Sequence, residues 1–117
     1  MQNLDQLRAA AALAAAESIS RQAVSKLPAM ILQNGLLAAT AFATEDKAAR
    51  AKMKAAIEAT ALHLSNNQLE ITCLAQKRTA SQMMSALSLA TSLDLQRATT
   101  EALAFLKRFA LKDETPT

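Results

Sequence analysis

The chain has 117 residues and a mass of 12.4 kDa, enough to enclose one hydrophobic core and too few for two, so residues 1–117 read as a single domain. Twenty-eight alanines and eighteen leucines stand against one glycine, two prolines and no Tyr or Trp. That leaves little from which to build hairpin turns or strand pairs, and it excludes an all-β or doubly wound fold. Thirteen Lys and Arg against ten Asp and Glu give a formal charge of +3 and a pI near 9.4, a balance that permits a polyanionic partner without requiring one.

Ala and Leu head the helix-propensity ranking, so the composition predicts an all-α, compact single-domain bundle of five or six helices. One cysteine cannot close an intrachain disulfide, and Cys73 with the sole histidine, His63, cannot supply the four ligands of a structural zinc. No metal and no cofactor are expected, and a reducing cytoplasm fits. The amino-terminal Met1, Gln2, Asn3, Leu4, Asp5 lacks the basic and apolar regions of a secretory signal. The longest uncharged stretch, Leu27 to Thr44, has 18 residues, but Pro28, Gln33, Asn34 and Gly35 interrupt it, so a buried bundle helix is expected there and no membrane span.

In chain order, Asp5 to Lys26 reads as a first helix with Asn3 or Asp5 as N-cap. Eighteen residues, five turns of one helix, would separate Arg8 from Lys26 and point both the same way. Pro28 suits the first turn of a second helix through Met30, Ile31, Leu36, Leu37 and Phe42, with Gly35 in mid-helix, where a kink or a tight helix crossing would account for it. Thr44, Glu45 and Asp46 would open a third helix reaching Leu64, with Met53, Ile57, Thr60 and Leu64 as its inward seam and Lys47, Arg50 and Lys54 as a cationic stripe on another face. Ser65, Asn66 and Asn67 form a polar turn. Helical spacing then runs from Leu69 through Cys73, Ala80, Met83 or Met84 and Leu87 to Ala90, and the polar Gln76 and Lys77 point to a break at Lys77 to Thr79. A last helix starts near Thr99 or Thr100, with Glu101 in its first turn and Leu103, Leu106, Phe109 and Ala110 inward, and the tail from Lys112 frays.

Catalytic patterns are absent from this reading. His63 has no cluster around it and reads as structural or solvated; Cys73 on an apolar seam reads as a small buried thiol. The carboxylates sit three or four residues from cations, as in Asp5 with Arg8, Glu17 with Arg21 and Glu58 with Lys54, and read as solvated helix pairs. One glycine cannot supply a phosphate-cradling loop. The remaining cations, among them Lys77, Arg78 and Arg97, suit either a soluble surface or phosphate-backbone contact. With three aromatic residues, any nucleic-acid contact is expected to be electrostatic and blind to sequence.

The string Lys26-Leu-Pro-Ala-Met-Ile-Leu-Gln-Asn-Gly-Leu-Leu-Ala-Ala-Thr-Ala-Phe42 resembles the signature of the small α-helical subunit of the type III-B (Cmr) CRISPR RNA-targeting complex. Leu4-Asp-Gln-Leu-Arg-Ala9 resembles the opening of that family, and Thr99-Thr-Glu-Ala-Leu-Ala-Phe-Leu-Lys-Arg-Phe-Ala110 its closing helix. The resemblance implies a non-catalytic subunit in antiviral defence, lining up in several copies as the inner filament of a ribonucleoprotein, along guide RNA and target RNA. Its partners would be the other Cmr subunits and copies of itself, with no membrane and no small-molecule substrate.

On this reading Arg8, Lys26, Lys107 and Arg108 are the first-choice RNA contacts, because they lie in the matching segments, and Lys47, Arg50 and Lys54 are the second. Gln33 and Asn34 are assigned to structure. Replacing Arg8 and Lys26 by Ala is expected to weaken RNA binding for all sequences alike and to leave the fold intact. The competing readings are a helical adaptor that bridges protein subunits without touching RNA, and an enzyme using Cys73 or His63.

Overall fold

The computed structural model describes residues 3–15, 21–45 and 51–114. Among them are six α-helices and two short 3-10 turns: α1 (Leu4–Ala15), α2 (Arg21–Asn34), α3 (Leu36–Ala43), α4 (Ala51–Leu64), the turns Asn67–Leu69 and Thr72–Leu74, α5 (Ala80–Ser88) and α6 (Ser92–Glu114). The all-α bundle expected from composition is the observed class. The longest helix, α6, is the post against which α1, α2 and α4 pack, while α3 and α5 close the other side.

The core is built from Leu27 and Ile31 of α2, Leu36 and Ala39 of α3, Ile57, Ala61 and Leu64 of α4, Met83 and Leu87 of α5, and Phe105 and Leu106 of α6. Alanine appears at contact after contact: Ala56, Ala61, Ala80, Ala98 and Ala102 are all fully buried. Small side chains let helix backbones approach closely, and each buried residue gains by leaving water without losing rotamer freedom. The predicted seam of the Met53 helix is observed, with Ile57, Thr60 and Leu64 buried and Met53 partly so. Thr40 and Thr60 enter the core because their hydroxyls donate back to the carbonyls of Leu36 and Ala56, at 2.7 and 2.8 Å.

Several boundaries differ from the sequence reading, each for a local reason. Pro28 lies inside α2, not at a start, so the segment from Arg21 is continuous with it. The proline removes one helix hydrogen bond, and burial of Leu27 and Ile31 on either side offsets the loss. The alignment of Arg8 with Lys26 would need one uninterrupted helix through residues 16–20, which lie outside the described residues.

Gly35 is not within a helix. It joins α2 to α3 with φ 89° and ψ 160°, a conformation essentially reserved for glycine, and a Cβ there would meet nothing within 4 Å. Its role is therefore conformational and has nothing to do with a tight crossing. Its N–H still reaches Ile31 O and its carbonyl still accepts from Ala39, so the chain turns while wasting little hydrogen bonding. Thr44 closes α3 and does not open the next helix: its hydroxyl donates back to Thr40 O at 2.9 Å, and its N–H to the same carbonyl at 3.0 Å.

The stretch from Leu69 to Leu74, expected to be helical, forms the two 3-10 turns, with Glu70 at φ 59° between them and Gln76 at φ 66° after them. Glu70 in this left-handed conformation turns the chain so that Leu69 and Ile71 are both buried. The expected break near Thr79 is a capping box: Thr79 Oγ1 accepts from Gln82 N–H, and the Gln82 carboxamide accepts from Thr79 N–H. The last helix begins seven residues earlier than expected, at Ser92, where Thr91 Oγ1 accepts from Asp94 N–H, and it continues to Glu114. Glu101 is thereby moved from a first turn to the middle of α6.

Candidate functional site: a buried ion network and an exposed cationic surface

Glu101 is the least expected residue of the fold. A carboxylate is rarely buried without partners, and Glu101 has two, from two different helices. Arg8 of α1 grips it in a forked pair, Nε to Oε2 and Nη2 to Oε1, both at 2.8 Å. His63 of α4 approaches Oε2 at 2.9 Å through Nε2. An ionised carboxylate only accepts, so Nε2 carries the proton. The imidazole is itself stacked on Phe105, ring centroids 4.7 Å apart and planes at 17°.

Exposure falls along this network: the side chains of Arg8, Glu101 and His63 are 23%, 9% and 1% exposed. Burial pushes the Glu101 carboxyl up, but the hydrogen bonds from His63 and Arg8 outweigh it and hold the group below the usual carboxylate range. The same bond to Glu101 raises Arg8, against the opposing effect of burial.

The other expected helix pairs are redistributed in the same way. Asp5 lies 3.7 Å from Arg108 Nε across the α1 and α6 seam, too far for a hydrogen bond, and that nitrogen is buried without one. Glu58 does not neutralise Lys54; it accepts the backbone N–H of Ala80 at the start of α5. Glu17 lies outside the described residues. The sequence pattern i, i+4 suggested local pairs, whereas the folded chain spends Glu58 and Glu101 on joining helices. No signal short of a correct α6 start would have revealed Glu101 as inward-facing.

Of the seven predicted contact residues, Lys26, Lys54 and Lys107 are exposed, Arg8 is engaged by Glu101, Arg108 is half-buried beside Asp5, and Lys47 and Arg50 lie outside the described residues. The structure thus brings Arg8 and Arg108 to one seam, between α1 and α6. With Lys52, Lys77, Arg78 and Arg97, the exposed cations that make no ion pair number seven among the residues whose side chains are described, against three exposed acids, Asp5, Glu45 and Glu70, and two half-exposed ones, Glu58 and Asp94.

Cys73 is only partly buried, not the fully buried thiol expected from its seam, yet burial still pushes its thiol up, away from the reactive thiolate. Among the described residues no three His, Cys, Asp or Glu side chains group to hold a metal, and no helix is long and apolar enough to cross a membrane.

The model of one family, CRISPR-associated protein (Cas_Cmr5), matches residues 4–112. No curated protein and no solved structure matches the chain.

Proposed function

Because the chain belongs to the CRISPR-associated Cas_Cmr5 family, the small subunit of the type III-B Cmr complex, we propose that it serves that complex without catalysis, in antiviral defence in the cytoplasm, holding guide and target RNA by their backbones. Copies of the chain stack as the inner filament along the two strands. The observation that carries the RNA part is the excess of unpaired exposed cations, seven against three acids, on a surface whose carboxylates Glu58 and Glu101 are turned to internal bonds. A strand of phosphates replaces the missing counter-charge and releases condensed ions as it does so. Lys26, Lys54 and Lys107 are the leading contacts, since among the described residues no acid pairs with them; Lys47 and Arg50, assigned from the sequence, join them. Arg8 and Arg108 contribute through the N–H groups that Glu101 and Asp5 leave over.

Stacking is supported by exposed leucines on several helices, Leu13 on α1, Leu32 on α2, Leu62 on α4 and Leu89 after α5, which offer neighbours more than one apolar foothold. A non-catalytic role is supported by His63, whose Nε2 is taken by Glu101, and by Cys73, which burial keeps as the thiol.

Binding to single-stranded and duplex RNA across a salt series tests the proposal. Affinity that is indifferent to sequence and falls linearly in log salt is expected. Undetectable RNA binding by a folded protein that still joins its complex would leave the adaptor reading in its place.

A further inference from the structure

A cavity of about 360 Å³ opens between α1, the two 3-10 turns and α6, within the size range of small-ligand sites. Its apolar side is Leu69 and Ile71, both buried, with Leu4 and Leu93 at 46% and 65% exposure. Its charged side is Arg8 and Arg97. Glu101 also borders it, but both of its oxygens are occupied by Arg8 and one by His63 as well, so its charge is already matched. Arg97 is exposed and makes no ion pair among the described residues, leaving one guanidinium in excess over an apolar wall.

We infer that this cavity is a binding site for a nucleoside monophosphate unit, its base lying against Leu4, Leu69, Ile71 and Leu93 and its phosphate on Arg97 and the spare N–H groups of Arg8. Three features fit that ligand better than inorganic phosphate. The wall is aliphatic and would be wasted on a bare anion. Gln96 and Thr100, one helical turn apart on the α6 side of the cavity, offer both donors and acceptors to a base edge or a ribose hydroxyl. Arg97 presents a planar fork suited to phosphate oxygens. The unit is supplied either by an unstacked residue of a bound RNA strand or by a free nucleotide. The first source rests on the RNA reading above; the site itself does not.

The test is a titration of isotopically labelled full-length protein, followed by amide shifts, with uridine 5′-monophosphate, adenosine 5′-monophosphate, inorganic phosphate and a ten-nucleotide oligouridine. Both nucleotides are expected to shift amides at 69–71 and 93–100, and phosphate alone to shift only those around Arg97 and Arg8. Arg97→Gln and Leu93→Asp, both at exposed positions outside the Arg8, Glu101, His63 network, are expected to keep the wild-type melting temperature and to weaken nucleotide binding about ten-fold, the first by removing one charge-assisted hydrogen-bonded contact and the second by setting a negative charge into the apolar wall. Lys26→Gln with Lys107→Gln is expected to flatten the salt dependence of oligouridine binding and leave the nucleotide shifts intact.

Oligouridine binding with no change at the cavity would overturn the inference while the RNA reading stands. Nucleotide shifts at the cavity without oligouridine binding would uphold the site, assign it to a free nucleotide and sink the RNA reading. Identical shifts from phosphate and nucleotide would overturn it too, since the aliphatic wall would then be idle.

Discussion

Replacing Glu101 with Ala should cost far more than its single position suggests. Three hydrogen bonds of 2.8, 2.8 and 2.9 Å converge on the carboxylate, two of them from a guanidinium. Charge-assisted bonds are worth about 1.5–3 kcal/mol each, but the simple sum overshoots, because Arg8 is 23% exposed and can regain water. His63, at 1%, cannot, and the loss of its one hydrogen-bond partner among the described residues costs about 1–3 kcal/mol. Adding about 1 kcal/mol for the partly exposed arginine pair gives about 3 kcal/mol in all. For a domain of this length the unfolding entropy is about 0.25 kcal/mol per kelvin, so the midpoint should fall by about 12 °C.

Thermal and urea unfolding followed by circular dichroism at pH 7 measures it. In a double-mutant cycle, Arg8→Ala alone should be costly because it strands a buried carboxylate, and the pair of changes should be less destabilising than the sum by more than 1 kcal/mol, the size of coupling expected for contacting charges. A midpoint shift under about 4 °C for Glu101→Ala, corresponding to less than about 1 kcal/mol, or additive effects in the cycle, would refute the assignment of the network as the tie between α1, α4 and α6.

The depressed Glu101 carboxyl adds stability that is fully present above the ordinary glutamate range near pH 4.3 and is lost as pH falls through the lower folded value; the midpoint of the wild type should therefore drop below about pH 4, and Glu101→Gln should lose part of that acid dependence. Gly35→Ala should cost about 2 kcal/mol from backbone strain alone, since φ 89° is unsuited to a Cβ that would clash with nothing; urea midpoints within error of wild type would show that the joint can relax. Thr79→Ala should remove the α5 cap for about 1 kcal/mol, checked by the same melts and by hydrogen exchange at Gln82. Lys26→Gln with Lys107→Gln should lower the slope of log affinity against log salt by about two with an unchanged midpoint; an unchanged slope would remove these residues from the interface.

Much of the bundle could be read from residue order because its signals are local. The Ile57, Thr60, Leu64 seam repeats at helical spacing, and Thr79 followed three residues later by Gln82 is a cap written in the chain. Gly35 and Pro28 were harder. Both are helix breakers, yet Pro28 is overridden by the burial of Leu27 and Ile31, whereas Gly35 prevails. Only tertiary packing decides between them.

The ion network was illegible for a related reason. Arg8 and Glu101 are 93 residues apart, and each has a plausible nearby partner of opposite charge in sequence. Local pairing is the default expectation for a solvated helix, and it fails once the register of α6 turns Glu101 inward. Hence Arg8, chosen first as a surface contact, also holds α1 to the bundle, and its replacement by Ala is expected to disturb folding as well as binding.

That tie also sets an order of events during synthesis. Leu7 and Ala12, the buried residues of α1, pack in a core completed by α6, and the guanidinium anchoring the helix waits for a carboxylate made 93 residues later. While the ribosome is still translating, this alanine-rich segment has its main seat missing and must remain solvated or be shielded by a chaperone. Emergence of α6, and not of α1, is then the moment at which the bundle closes.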